Sequence, residues 1–149
     1  MLGQNIEARG VAPGTAAPTC VVIGTAATQV GQQGLPYLPG ISAESVGATG
    51  LCMHLLTIPP GGRAKAHLHA QHETAIYVLS GAAEMWYGQD LQEHLVVRAG
   101  DLLYIPAGMP HLPANCSPTE PCTAVVARTD PNEQESVVIL PELDRYTRA

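Results

Sequence analysis

Short apolar runs, each cut off by glycine or proline within a few residues, constrain the fold of this chain more than any other feature. They read LCMHLLTI (51–58), AIYVLS (75–80), AAEMWYG (82–88), EHLVVRAG (93–100), DLLYIP (101–106), TAVVART (123–129) and ESVVIL (135–140). Between or after them stand Pro59-Pro60-Gly61-Gly62, Gly81, Gly100 and Pro141. Runs of this length at this spacing are the pattern of strands in a sandwich or barrel. Gly 15 and Pro 13 in 149 residues supply the turns. No amphipathic stretch of ten or more residues carries a helical period, and only a short turn of helix near 141–147 is expected. VVIG (21–24) is a further short strand, GQQGLPYLPG (31–40) reads as a loop, and 41–50 reads as a turn region. The expectation is an all-β, single-domain β-barrel over 21–140, with an N-terminal arm at 1–20 and a C-terminal tail at 141–149.

Hydrophobic residues at 46% against charged residues at 13% exclude a disordered chain. The formal net charge of −6, without any Lys/Arg cluster, argues against a nucleic-acid partner and against an anionic membrane surface. No apolar run approaches the ~20 residues that span a bilayer. The opening MLGQNIEARG lacks a basic segment followed by an apolar one, so a cytoplasmic protein is expected. Cys20, Cys52, Cys116 and Cys122 are scattered and form no Cys-x-x-Cys pair. They are expected to be reduced thiols, with Cys116 and Cys122 the one pair that a turn could bridge.

The histidines are not evenly spread. His67, His69 and His72 crowd together, with Glu73 beside them. In a strand His67 and His69 share a face. Glu73, four residues beyond His69, falls on that face if the register continues. A second stretch, GDLLYIPAGMPHLPAN (100–115), brings His111 after a strand and a Pro-Ala-Gly turn. A third imidazole from a neighbouring strand would complete a site of three histidines and one glutamate, with coordination positions left open for water or substrate.

These residues carry a resemblance to the cupin superfamily, small β-barrels of the jelly-roll or double-stranded β-helix type. The first motif of that family is G-x5-H-x-H-x3or4-E-x6-G. Gly61, His67, His69 and Glu73 match it, over 61–81, but seven residues rather than six separate Glu73 from Gly81. With the longer spacing, Thr74 occupies the glutamate position, and His72 becomes an alternative ligand to Glu73. The second motif, G-x5-P-x-G-x2-H-x3-N, is matched by Gly100, Pro106, Gly108, His111 and Asn115, over 100–115.

The resemblance implies one divalent metal ion held by His67, His69, Glu73 and His111, with Fe or Mn favoured over Zn, Ni, Co or Cu. It implies a small-molecule substrate, an oxygenated metabolite, and chemistry of a dioxygenase or of an isomerase or lyase. The other reading is a binding or sensing barrel without turnover. It also implies a homodimer, with residues 1–30 or the C-terminal ESVVILPELDRY as the segment exchanged between copies. Tyr104, Met53, Met109 and Tyr77 are the candidate substrate-binding residues, although aromatic residues on strands more often pack. Trp86 and Tyr87 are expected to pack. His54 is expected in the core or on the surface, His94 in solvent, and Arg63 and Lys65 as exposed turn charges. Asp101 is expected to form a turn.

Overall fold

The computed structural model describes residues 18–24, 28–132 and 136–146. Most of the expected N-terminal arm therefore lies outside the described residues. In chain order the strands are β1 (Gln29–Val30), β2 (Pro36–Ile41), β3 (Cys52–Ile58), β4 (His67–His69), β5 (Thr74–Ser80), β6 (Ala82–Tyr87), β7 (Glu93–Arg98), β8 (Leu102–Ile105), β9 (His111–Asn115), β10 (Cys122–Arg128) and β11 (Val137–Ile139). They form two antiparallel sheets, ordered β1-β2-β3-β10-β5-β8 and β11-β4-β9-β6-β7. This is the all-β, two-sheet barrel that the rhythm of short runs leads to. A single helical turn, α1 (Ala43–Val46), falls in the turn region, and a 3-10 helix over Pro141–Tyr146 closes the described chain.

Alternation builds the core. Cys52, His54, Leu56 and Ile58 of β3 and Cys122, Ala124, Val126 and Arg128 of β10 face inward, the polar ones included. The main apolar cluster joins Leu35, Tyr37, Leu56, Ile58, Val78, Val97, Cys122 and Val126 from both sheets. A second cluster, Ala66, Leu91, Leu112 and Leu143, seats the 3-10 helix against β4 and β9. Asp144 caps the same end, its carboxylate accepting from the Ala66 amide at 2.8 Å.

The turn residues have local causes. Gly81 joins β5 to β6 with φ +77°, where a side chain is strained. A Cβ there would also stand 2.6 Å from the Pro121 carbonyl oxygen. Asp101 forms the expected turn, its carboxylate accepting from the Arg98 amide at 2.7 Å. Asn115 ties three segments together. Its amide nitrogen reaches the carbonyls of Ile58 (3.0 Å), Pro59 (3.2 Å) and Glu120 (2.7 Å), and its oxygen accepts from the Ser117 amide at 2.8 Å.

Three expectations are corrected. The stretch 31–40 is not all loop, because β2 begins at Pro36. Proline is tolerated as a first strand residue, and a register shift between Leu38 and Ile41 takes Pro39 and Gly40 out of the ladder. Residues 21–24 form no strand beyond a one-residue bridge at Val22. The C-terminal segment does not leave the barrel, since β11 pairs with β4 of the same chain, Val138 opposite Leu68. All four cysteines are free thiols, so Cys116 and Cys122 are not bridged.

Candidate metal centre

Pairing between β4 and β9 assembles the site. His67 and His111 are direct cross-strand partners. His69, two residues along β4, points to the same side. The ring centroids are 4.3 Å apart for His67 and His111, 5.3 Å for His67 and His69, and 5.6 Å for His69 and His111. One ligand nitrogen from each ring lies within 4.8 Å of the others, and all three residues are buried.

The hydrogen bonds choose the tautomers. His67 Nδ1 lies 2.7 Å from the Lys65 carbonyl and His111 Nδ1 lies 2.8 Å from the Met109 carbonyl. A carbonyl can only accept, so each Nδ1 carries the proton and each Nε2 keeps its lone pair, the arrangement of a metal-binding imidazole. His69 has no hydrogen-bond partner at either nitrogen. A buried polar atom left in that state costs about 1–3 kcal/mol, which a ligand bond removes.

Burial also sets the charge of the cluster. It pushes His111 down to about 4, the nearby Arg128 charge adding to the effect against the Met109 hydrogen bond. Burial, reinforced by the neighbouring His111 charge, holds His67 well below the usual imidazole range. His69 is held low by burial and then by Arg128. All three rings are therefore neutral at neutral pH, and no proton competes for their lone pairs. Three neutral, inward imidazoles with an orphaned ring among them fit a divalent metal ion.

Glu73 is not brought to the cluster. The chain bends between His69 and β5, so counting in twos from His69 fails. Thr74, 2% exposed, takes the inward position, and Glu73 turns outward. Its carboxylate accepts from the Tyr104 hydroxyl at 2.7 Å. His72 does not replace it: the ligand atoms that lie within 4.8 Å of one another come from His67, His69 and His111, while the His72 ring hydrogen-bonds the Ser136 hydroxyl and stands 3.3 Å from the Asp130 carboxylate. Counted back from Gly81, Thr74 holds the glutamate position of the first motif.

A cavity of about 60 Å³ adjoins the cluster inside the barrel. His67, His111, Thr74, Gln33 and Arg128 form its polar wall, and Leu56, Ile58, Val78, Met85, Ile105 and Val126 belong to its apolar wall. The four candidate substrate residues do not line it. Tyr77, Tyr104 and Met53 sit on outward positions, 43%, 60% and 42% exposed. Met109 lies in the turn before β9 and contributes its carbonyl to His111. His54 is in the core, packed edge-on against Tyr37 at 5.2 Å, with neither nitrogen hydrogen-bonded. His94 is exposed and contacts Glu84 at 3.1 Å.

Thr74, Gln33 and Arg128 were not among the expected site residues. Arg128 had a signal, because in TAVVART it falls in phase with the apolar positions Ala124 and Val126. A charge on the inward phase of a buried strand has to be compensated inside the protein, so it stands out from an apolar pattern. Gln33 had none, as it lies in a turn outside both motifs.

Comparison with known proteins supports the fold. A search of curated proteins gives no match. Among solved structures, a conserved protein with a double-stranded beta-helix domain from Klebsiella pneumoniae subsp. pneumoniae aligns at 20% identity and TM-score 0.56, covering 69% of this chain and 83% of that one. An oxalate oxidase in complex with the substrate analogue glycolate aligns at 25% identity and TM-score 0.58, covering 68% of this chain and 53% of that one. A protein from Acidithiobacillus ferrooxidans assigned as a sugar phosphate isomerase aligns at 25% identity and TM-score 0.54, covering 68% and 65%. This chain thus spans about half the length of the oxidase and about two thirds of the isomerase. Residues 54–128, half of the chain and both histidine strands, match the family profile of the cupin domain. With that match, the two antiparallel sheets and the three-histidine cluster, the chain belongs to the cupin family.

Proposed function

We propose that this chain is a metal-dependent enzyme acting on a small oxygenated metabolite, as a dioxygenase or as an isomerase or lyase. One observation carries the reading: three neutral buried imidazoles converge from β4 and β9 beside a cavity. A divalent metal bound there supplies Lewis acidity toward a substrate oxygen. The preference for Fe or Mn over Zn, Ni, Co and Cu rests on the resemblance of the motifs, because three imidazoles alone also suit Zn, Ni and Cu.

The chain's own residues do the rest. The Lys65 and Met109 carbonyls orient His67 and His111. The apolar wall excludes water and strengthens electrostatic interactions inside the cavity. Thr74 in place of a carboxylate leaves the described ligand set neutral. Glu73 and Tyr104 form a hydrogen-bonded pair outside the site. The oxalate oxidase and the sugar phosphate isomerase to which the chain is similar are in keeping with small oxygenated substrates.

We also propose that two copies pair through the outer face of the larger sheet, where Tyr77, Leu79, Leu102 and Tyr104 are exposed together. Free cysteines are in keeping with the reducing cytoplasm. No helix among the described residues is long and apolar enough to cross a membrane.

The test is turnover by the metal-loaded protein on a panel of small hydroxy acids, oxo acids, diols and sugar phosphates, followed by oxygen uptake and by product analysis. Activity that disappears in His111→Ala supports the enzyme. Full metal loading with no turnover on the panel moves the chain to the binding-module reading.

A further inference from the structure

We infer that the cavity takes a small uncharged α-hydroxyketone, whose hydroxyl donates to Gln33 Oε1 and whose carbonyl oxygen accepts from the Thr74 hydroxyl. This names a substrate class for the site of the proposed function and rests on that cavity being the place where the substrate binds.

Gln33 Oε1 and Thr74 Oγ1 are both buried on the wall of the cavity, and neither has a hydrogen-bond partner. The residues are 3% and 2% exposed, so bulk water does not serve them. They come from separate segments, Gln33 from the turn before β2 and Thr74 from the start of β5. The Gln33 carbonyl accepts from the Lys65 amide at 2.7 Å, which fixes its backbone two residues from His67 and leaves its side-chain oxygen unpaired. An amide oxygen only accepts, whereas a threonine hydroxyl also donates. The two atoms could pair with each other, yet they do not meet. A molecule that bridges them must donate at the Gln33 end and accept at the Thr74 end.

The wall selects the chemistry of both ends. No aspartate or glutamate lines the cavity among the described residues, so an ammonium donor would lie there unpaired, at a cost that a hydroxyl avoids. A carboxylate at the Gln33 end would set acceptor against acceptor. Arg128 on the same wall is already engaged, so it creates no demand for an anion. At the other end a carbonyl oxygen takes the Thr74 proton without bringing a donor of its own, which an aliphatic wall would leave unpaired. A hydroxyl beside a carbonyl, with no charge, describes an α-hydroxyketone.

Size agrees. At roughly 10–15 Å³ per water position, the cavity holds about four to six non-hydrogen atoms. Water alone fills it poorly, because each buried water needs about two to four polar partners. Beyond Gln33 and Thr74 the wall is mostly aliphatic, with Leu35, Ile58, Val78 and Val126 on it. The Nδ1 atoms of His67 and His111 are taken by the Lys65 and Met109 carbonyls. A few carbons carrying two oxygens match this wall better than a water cluster, and hydroxyacetone is in the size range.

The experiment is an NMR titration of the zinc-reconstituted protein with hydroxyacetone and with butanone, in which a methyl group replaces the hydroxyl. Shifts are followed at the backbone amides of Gln33 and Thr74, and bound zinc and melting temperature are recorded for every variant. Hydroxyacetone is expected to bind at least about ten-fold more tightly than butanone, because butanone leaves the Gln33 oxygen unpaired. Gln33→Leu is expected to abolish that preference. Thr74→Val, which keeps the shape and removes the hydroxyl, is expected to weaken both ligands about five-fold and to keep the preference. If Gln33→Leu does not fold, the wild-type ratio and Thr74→Val decide. Butanone as tight as hydroxyacetone, a preference that survives Gln33→Leu, affinities unmoved by Thr74→Val, or no saturable shift with either ligand overturns the inference, and with zinc bound each of these leaves the metal centre standing. A wild type that takes up no zinc overturns the metal centre, while the preference measured on the same sample still decides the inference.

Discussion

Replacing Asn115 by alanine tests how the end of β9 is held. The side chain is 9% exposed and reaches three carbonyls and one amide on segments 58–59, 117 and 120. An amide nitrogen has two hydrogens, so the three carbonyl contacts amount to two full hydrogen bonds, and the accepted Ser117 bond makes a third. At about 1 kcal/mol each, the loss is about 3 kcal/mol. For a chain of this length, about 2–4 °C per kcal/mol gives a fall in Tm of roughly 6–12 °C. Differential scanning calorimetry of the metal-free protein measures it. Asn115→Asp should fall further, because a carboxylate would face the carbonyls of Ile58, Pro59 and Glu120. Metal stoichiometry well below Tm should not change, since His111 sits at the opposite end of β9. A fall of under about 2 °C in both variants would refute the claim that this side chain ties the segments together.

Further outcomes follow from the same structure. Burial holds His54 at about 3 and His111 at about 4 in the folded state, against 6.5 unfolded. The unfolded chain therefore takes up protons first as pH falls, and stability present above about pH 6.5 is lost progressively toward pH 4, at up to about 1.4 kcal/mol per pH unit per ring. A metal-free Tm that stays constant between about pH 7 and pH 5 would contradict these burials. Gly81→Ala should cost at least about 1–2 kcal/mol from the left-handed backbone alone, with the contact against Pro121 added, and an unchanged denaturation midpoint would count against that turn. Leu102, 81% exposed on an edge strand, should become a break point for the proposed dimer. Leu102→Glu should elute as a single chain in gel filtration where the wild type elutes as two, and a wild type that elutes as one chain removes the proposal.

Much of the fold was legible because buried strands announce themselves through aliphatic runs ended by glycine. LCMHLLTI, AAEMWYG and TAVVART each became a strand within a residue or so of the expected limits. Apart from the two-residue β1, the strands that escaped notice contain proline. In β9, Pro113 keeps its place because its backbone faces the side where its carbonyl accepts from the Ala64 amide, so no ladder bond to β6 needs its missing N–H. In β2 the bulge removes Pro39 from the ladder. The three histidines could be located from spacing, since His67 and His69 share a strand face and the turn at Gly108 aims His111 back at them. Glu73 could not be placed, because alternation is a local rule and the bend after His69 resets it. Gln33 was invisible for a different reason: its burial comes from the turn that leads into β2, and turn residues are exposed more often than not.

The most direct test of the three-histidine centre is metal content per chain by elemental mass spectrometry on the wild type, His69→Ala and Glu73→Gln, all purified without an affinity tag. The structure predicts roughly one divalent ion per chain in the wild type and in Glu73→Gln, and a loss of most of it in His69→Ala. Metal lost from Glu73→Gln but kept by His69→Ala, or a wild type that takes up none after reconstitution, would contradict the account.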